Sequence, residues 1–195
     1  HRVLPSFPRR RSSDLDQGIR TVLPEMNQFR LRGKDNLAEV AEQLNIEIPR
    51  TEVVLSEPAL AAAVDEIGLP VMLKGVYYQA YPARNMLEAA SCYRKLIAEW
   101  GYPVIVQQMI SGDELNLTGV GDGQGNSLGM VAIKKTSVTS LGKVWSAITI
   151  NNAPMLEAAE TFVRNSKWRG PFELECIVNK DGVHQIGRAS GRERG

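Results

Sequence analysis

Cysteine, histidine and unbalanced charge are all scarce in this 195-residue chain. The two cysteines, Cys92 and Cys176, have neither CxxC nor zinc-type spacing, which excludes a disulfide scaffold or a thiolate metal site. They read as buried thiols of a reducing compartment, so a cytoplasmic location is expected. Apart from His1, His184 is the sole histidine, and no Ser/His/Asp or Cys/His set assembles around it. The 23 basic and 22 acidic residues leave a net charge of +1, and nothing at that level calls for nucleic acid or an acidic membrane. No apolar run approaches membrane-spanning length, and the N-terminal stretch lacks the hydrophobic segment of a signal peptide. Neither an internal repeat nor a low-complexity tract is visible.

The two ends stand apart. Residues 10–14 read Arg-Arg-Ser-Ser-Asp and residues 186–190 read Ile-Gly-Arg-Ala-Ser. Opposite strands of one short DNA duplex encode both, so the ends resemble sequencing-adapter DNA translated in two orientations. Residues 1–15 and 186–195 are therefore expected to lie outside the fold. Residues 16–33 have little periodicity and read as a linker or the end of an upstream domain.

Between these ends the pattern is of helices alternating with strands, followed by antiparallel β. A helix is expected from Gly33-Lys34-Asp35 to about Asn45, with Leu37, Val40, Ala41 and Leu44 on one face. A second runs from the Ser56 N-cap to Gly68. The strand Pro70–Gly75 follows, then a tyrosine-bearing loop Val76–Arg84. A third helix opens at Asn85 with Glu88 as capping-box partner, its inner face being Met86, Ala90, Tyr93, Ile97 and Trp100. The strand 103–110 closes this unit. Strands are then expected at 114–121, 128–135 and 143–151, a helix at 152–168, and a hairpin turning at Lys180-Asp181-Gly182.

Four features carry chemistry. Lys74 closes the apolar run Pro70-Val71-Met72-Leu73, where burying an ammonium is costly unless an anion meets it. Gln107-Gln108-Met109-Ile110 is a polar pair followed by an apolar pair, and Glu114 lies seven residues after Gln107. Lys134 and Lys135 point to opposite faces of one strand. Lys135 is the better candidate for a ligand, with Val131 and Ile133 on its alternation expected to face the core. Glu173 and Glu175 share one face of Phe172-Glu173-Leu174-Glu175-Cys176, separated by two residues. The glycine-rich run Thr118–Gly123 precedes another strand, so it is neither a phosphate loop nor a dinucleotide fingerprint.

From Lys34 to Gln185 the order and spacing of these motifs resemble the ATP-grasp superfamily, in particular its biotin-carboxylase-like and carbamoyl-phosphate-synthase-like members. The resemblance implies an α+β ATP-grasp fold: a small α/β subdomain over 34–113 up to the hinge, then an antiparallel-sheet subdomain over 114–185, cut short at the C-terminus. It implies ATP and Mg²⁺, with Mn²⁺ as an alternative. ATP phosphates would be met by Lys34 and Lys74, with Lys135 near the γ-phosphate. Adenine would be met by Gln107, Gln108, Met109 and Ile110, the ribose hydroxyls by Glu114, and the metal by Glu175. The acid and Asn expected soon after Gln185, in a run like IEINPR, do not appear. No catalytic residue is singled out.

The activity implied for an intact parent is ATP-dependent carboxylate–amine ligation. A small carboxylate becomes an acyl phosphate and an amine or ammonia attacks it. This chain alone is expected to lack that catalysis. The alternatives are a nucleotide-binding regulatory module and a structural α/β domain.

Overall fold

Alternating apolar residues on short strands, each flanked by a capped amphipathic helix, build the first of two sheets. The structure is a computed structural model that describes residues 22, 24, 25, 28, 31, 33–76, 79–138 and 144–189. The first sheet contains β1 (Thr51–Val54), β2 (Val71–Gly75), β3 (Ala80–Ala83) and β4 (Val104–Gln108), in the antiparallel order β1-β4-β2-β3. Two helices cover one face, α2 (Glu57–Ile67) and α3 (Met86–Trp100), the label α1 belonging to the earlier Leu37–Leu44. Ser56 caps α2 through its hydroxyl to the N–H of Ala59. Asn85 Oδ1 accepts from the N–H of Glu88 at 2.9 Å, while Glu88 returns bonds to Asn85 Nδ2 and the N–H of Arg84. The sheet–helix core comprises Leu60, Val64 and Ile67, then Ala89, Tyr93 and Leu96, against Val71, Leu73, Val104 and Val106.

Two expectations are corrected here. The inner face of α3 is Ala89, Tyr93 and Leu96, while Met86 and Trp100 are exposed. The i, i+4, i+7 stripe centred on Tyr93 thus lies one residue away from the expected one. The tyrosine-bearing segment holds the edge strand β3, whose Pro82 needs no ladder donor on the outer side; Tyr77 and Tyr78 lie outside the described residues. Residues 16–33 were expected as a linker or the end of an upstream domain; of those described there, Gln28 is buried and its amide donates to the carbonyls of Ser166 and Lys167.

The second sheet contains β5 (Asp113–Asp122), β6 (Ser127–Val138), β7 (Val144–Ile150), β8 (Arg169–Asn179) and β9 (Gly182–Ala189), ordered β7-β6-β5-β8-β9 and antiparallel throughout. Helix α4 (Ala153–Ser166), capped by Asn152, lays Met155, Ala159, Phe162 and Val163 on one face of it. Leu115, Leu117, Phe172, Leu174, Cys176 and Trp168 complete that core. Val40 and Leu44 of α1 also belong to it, so the helix after Lys34 joins the core of the second sheet, while the Lys34 segment still touches β1 and β4 of the first. Strand β9 runs to Ala189, four residues past the expected boundary at Gln185, because backbone pairing to β8 does not depend on side chains.

The glycine-rich run of β5 has a packing reason. A Cβ on Gly119 would press on the Phe172 ring and Met130, and one on Gly121 would collide with the carbonyl of Trp168.

Candidate nucleotide site between the two sheets

Because α2 and α3 occupy one face of the first sheet, alternation turns Met72, Lys74, Ile105 and Gln107 to the other. Lys74 Nζ donates to Gln107 Oε1 at 2.6 Å and to the carbonyl of Ile186 on β9 at 3.0 Å. The second bond joins the two sheets. Gln107 is itself almost fully buried, and its Nε2 donates to Thr51 Oγ1 at 2.9 Å.

On the second sheet, Glu114, Asn116 and Thr118 of β5 share a face with Glu175 and Glu173 of β8 and with Ile133 and Val131 of β6. Lys135 continues that alternation. Its Nζ donates to Glu114 Oε1 at 3.0 Å and lies 3.9 Å from Glu175 Oε1. Val131 and Ile133 therefore face the cluster and not the helix-covered core, as had been expected. The core-facing residue is Ala132, 2% exposed. Lys134, on Ala132's face, pairs with Asp113 at 2.9 Å.

Lys34 opens a 3-10 turn, Lys34–Asn36, ahead of α1 (Leu37–Leu44). Burial holds its ammonium below the usual lysine range, and the Glu175 carboxylate partly offsets this. Burial, then the like charge of Lys34, bring Lys74 down to about 8, with Glu175 and Glu114 pulling the other way. Five charged residues from five separate segments thus share one electrostatic neighbourhood: Lys34, Lys74, Glu114, Lys135 and Glu175.

The hinge is arranged differently from the expectation. Gln107 turns its side chain to Lys74. The N–H of Gln108 is held by the carbonyl of Arg50 at 2.8 Å, and that of Met109 by the carbonyl of Pro70 at 3.2 Å. Met109 and Ile110 follow the end of β4, with Met109 40% exposed.

Sequence reasoning missed Asn116. It is wholly buried, donates from Nδ2 to Glu173 Oε1 at 2.6 Å, and its Oδ1 is enclosed without a partner. Its place two residues after Glu114 was the available signal. His184 stands 4.0 Å from Glu47, away from the cluster. Both cysteines are free thiols, Cys176 buried and raised to about 12 by burial, Cys92 only half-buried.

Glu175 faces Gly187 across the β8–β9 ladder. A Cβ at 187 would lie 2.6 Å from Glu175 Oε2, so a side chain there would crowd that carboxylate, whose side chain is 38% exposed. Among the described residues no group of three His, Cys, Asp or Glu side chains is placed to hold a metal ion. No described helix is long and apolar enough to cross a membrane.

No protein-family model matches the chain, and no curated protein does. Solved structures do. A RimK-domain ATP-grasp protein from Sphaerobacter thermophilus is 23% identical, with a TM-score of 0.62 over 84% of this chain and 61% of that one. D-alanine–D-alanine ligase from Bacillus anthracis, solved with ATP, is 16% identical, with a TM-score of 0.66 over 92% of this chain and 62% of that one. The biotin carboxylase domain of Hydrogenobacter thermophilus 2-oxoglutarate carboxylase, solved with MgADP, ADP and bicarbonate, is 16% identical. Its TM-score is 0.74 over 93% of this chain and 45% of that one. In each case this chain spans less than two thirds of the solved chain. Two antiparallel sheets with their helices, in this order and at this similarity, are the ATP-grasp fold, and this chain has it.

Proposed function

We propose that the chain binds ATP between its two sheets, as the nucleotide-binding part of a ligase. In that ligase a small carboxylate becomes an acyl phosphate and an amine or ammonia displaces the phosphate. The observation that carries this reading is Lys74: a half-buried ammonium, next to a second half-buried lysine, held on two neutral acceptors. Such a group is poorly stabilised until an anion arrives, and a polyphosphate supplies one.

The roles follow from position. Lys34 and Lys74 meet phosphate oxygens from two sides, with Gln107 fixing the Lys74 chain. Lys135, at the same cluster, approaches the terminal phosphate. Glu114, more than half exposed, exchanges part of its contact with Lys135 for ribose hydroxyls, two donors suited to one acceptor-only group. Met109 and Ile110 pack against the adenine ring, with Gln108 beside them. Ammonium groups placed before the reaction stabilise charge as it develops on the transferring phosphoryl group.

The resemblance assigns Glu175 to Mg²⁺ or Mn²⁺. The donor set around Glu175 does not fit that role well: it has a lysine at 3.9 Å, a second lysine's field on it, and a glycine opposite. The carboxylate and amine substrates, and any cytoplasmic setting, are part of this proposal.

Isothermal titration of ATP into the chain tests the reading. Saturable binding that is lost in Lys74→Met, with an unchanged fold by circular dichroism, is expected. Absence of heat at any ATP concentration removes the nucleotide role and leaves the structural α/β reading.

A further inference from the structure

We propose that Thr51 is a positioning residue for the phosphate lysine: its hydroxyl sets which way the Gln107 amide is turned, and through it the acceptor that holds Lys74. The inference rests on the nucleotide reading above and deepens it at the same site.

Strand order brings the three side chains together. In the run β1-β4-β2 the middle strand carries Gln107, which stands opposite Thr51 on β1 and Met72 on β2. Lys74, two residues along β2, is its diagonal neighbour on the same face. A side-chain amide donates at one end and accepts at the other. Turned one way, Gln107 offers Lys74 a carbonyl oxygen. Turned the other way it offers an NH₂ group, to which an ammonium cannot bond.

Thr51 decides between the two. Its Oγ1 donates at 2.7 Å to the carbonyl of Pro49, a group that can only accept. The one hydroxyl proton is thereby committed, and Oγ1 has only lone pairs left for Gln107. It accepts from Nε2 at 2.9 Å, which leaves Oε1 to accept from Lys74 Nζ at 2.6 Å. Every bond of the series Lys74, Gln107, Thr51, Pro49 therefore runs in one direction. Gln107 is 2% exposed, so taking Oγ1 away strands an amide N–H out of reach of solvent.

The far end of the series is also held. Pro49 lies between α1 and β1, and the next carbonyl, that of Arg50, accepts from the N–H of Gln108 at 2.8 Å. The backbone that orients Thr51 is thus bonded to the strand that carries Gln107. Lys34, Glu175 and Glu114 act on Lys74 by charge. Thr51 is uncharged, so replacing it leaves those three in place.

The test is a calorimetric titration of ATP into the full chain, Thr51→Val and Thr51→Ser, repeated as pH is raised through about 8. Thr51→Val is expected to lose affinity about tenfold, and Thr51→Ser to keep it within about threefold. Thr51→Ala repeats the comparison if valine strains the strand. Undiminished affinity without the hydroxyl overturns the proposal and leaves the nucleotide site standing. No binding by the unaltered chain overturns both. A loss shared in full by Thr51→Ser assigns the effect to the threonine methyl and overturns the proposal.

Two readouts separate positioning from a general loss of structure. Affinity falls as the Lys74 ammonium is lost, and in Thr51→Val that fall is expected at lower pH, because the ammonium has lost a fixed acceptor. A weaker affinity with an unmoved pH midpoint contradicts the proposal. In a Gln107→Met background, Thr51→Val is expected to cost no further affinity. A second tenfold loss there would mean that Thr51 does not act through Gln107, and would end the proposal.

Discussion

Lys74 Nζ and Gln107 Oε1 meet at 2.6 Å, a bond between a residue of β2 and one of its neighbour β4 that sets the direction of the lysine side chain. Gln107 is in turn fixed by Thr51 on β1, so three strands of the first sheet hold one ammonium in place. A neutral acceptor holds the ammonium without satisfying its charge. Gln107→Glu is expected to satisfy it. Nucleotide affinity should fall about tenfold, because the new carboxylate competes with phosphate. Titration calorimetry on the variant checks this, and affinity equal to that of the unaltered chain counts against it.

The displaced basicity of Lys74 links protons to stability. Its folded value is about 8 and its ordinary value 10.5. Below about 8 it is protonated in both states, and the burden of a buried charge is fully present. Between the two values the unfolded chain binds the additional proton, so stability rises with pH through that window. Nucleotide affinity should move the opposite way, falling as pH climbs past about 8 and the ammonium is lost. Denaturant unfolding across the window, with Lys74→Met as reference, reads the first effect. The difference between the two proteins should narrow as pH rises, and a constant difference contradicts the assignment.

The second sheet depends on one aromatic cluster. Phe162 stacks at 5.6 Å from Trp168 and 5.5 Å from Phe172 and is 1% exposed. Phe162→Ala should cost about 3–5 kcal/mol in urea unfolding. A loss under about 1 kcal/mol would place the core elsewhere.

Gly121 lets β5 pass the carbonyl of Trp168. Gly121→Ala should destabilise by about 1–3 kcal/mol, since backbone and not a flexible side chain stands in the way. Gly129 has nothing within 4 Å of a built Cβ and is the matched control, expected to tolerate alanine.

Much of this was legible because strand alternation is a short-range property. Lys74 at the end of an apolar strand, and Glu173 and Glu175 on one face of theirs, followed from short-range pattern alone. The caps at Ser56 and Asn85 were legible too, since there one side chain serves one nearby N–H. Pairing was harder to foresee. Gln107 looked like part of an adenine hinge, and only the β2–β4 register places its amide against Lys74. Lys34 looked continuous with the first sheet because chain order says so, yet Val40 and Leu44 find their apolar partners on α4 and the second sheet. Val131 and Ile133 were assigned to the core from hydrophobicity, although small Ala132 is the residue that fits beneath the helix. The continuation of β9 to Ala189 was hidden for a different reason: backbone pairing leaves little mark on sequence.

The central claim is that Lys74 is held ready for a phosphate. Paired ATP titrations of the unaltered chain and of Lys74→Met, each with its melting temperature, test it most directly. The account predicts saturable binding by the unaltered chain, an affinity loss of about tenfold to a hundredfold in the variant, and a melting temperature in the variant no lower near neutral pH. Equal ATP affinity in the two proteins contradicts it.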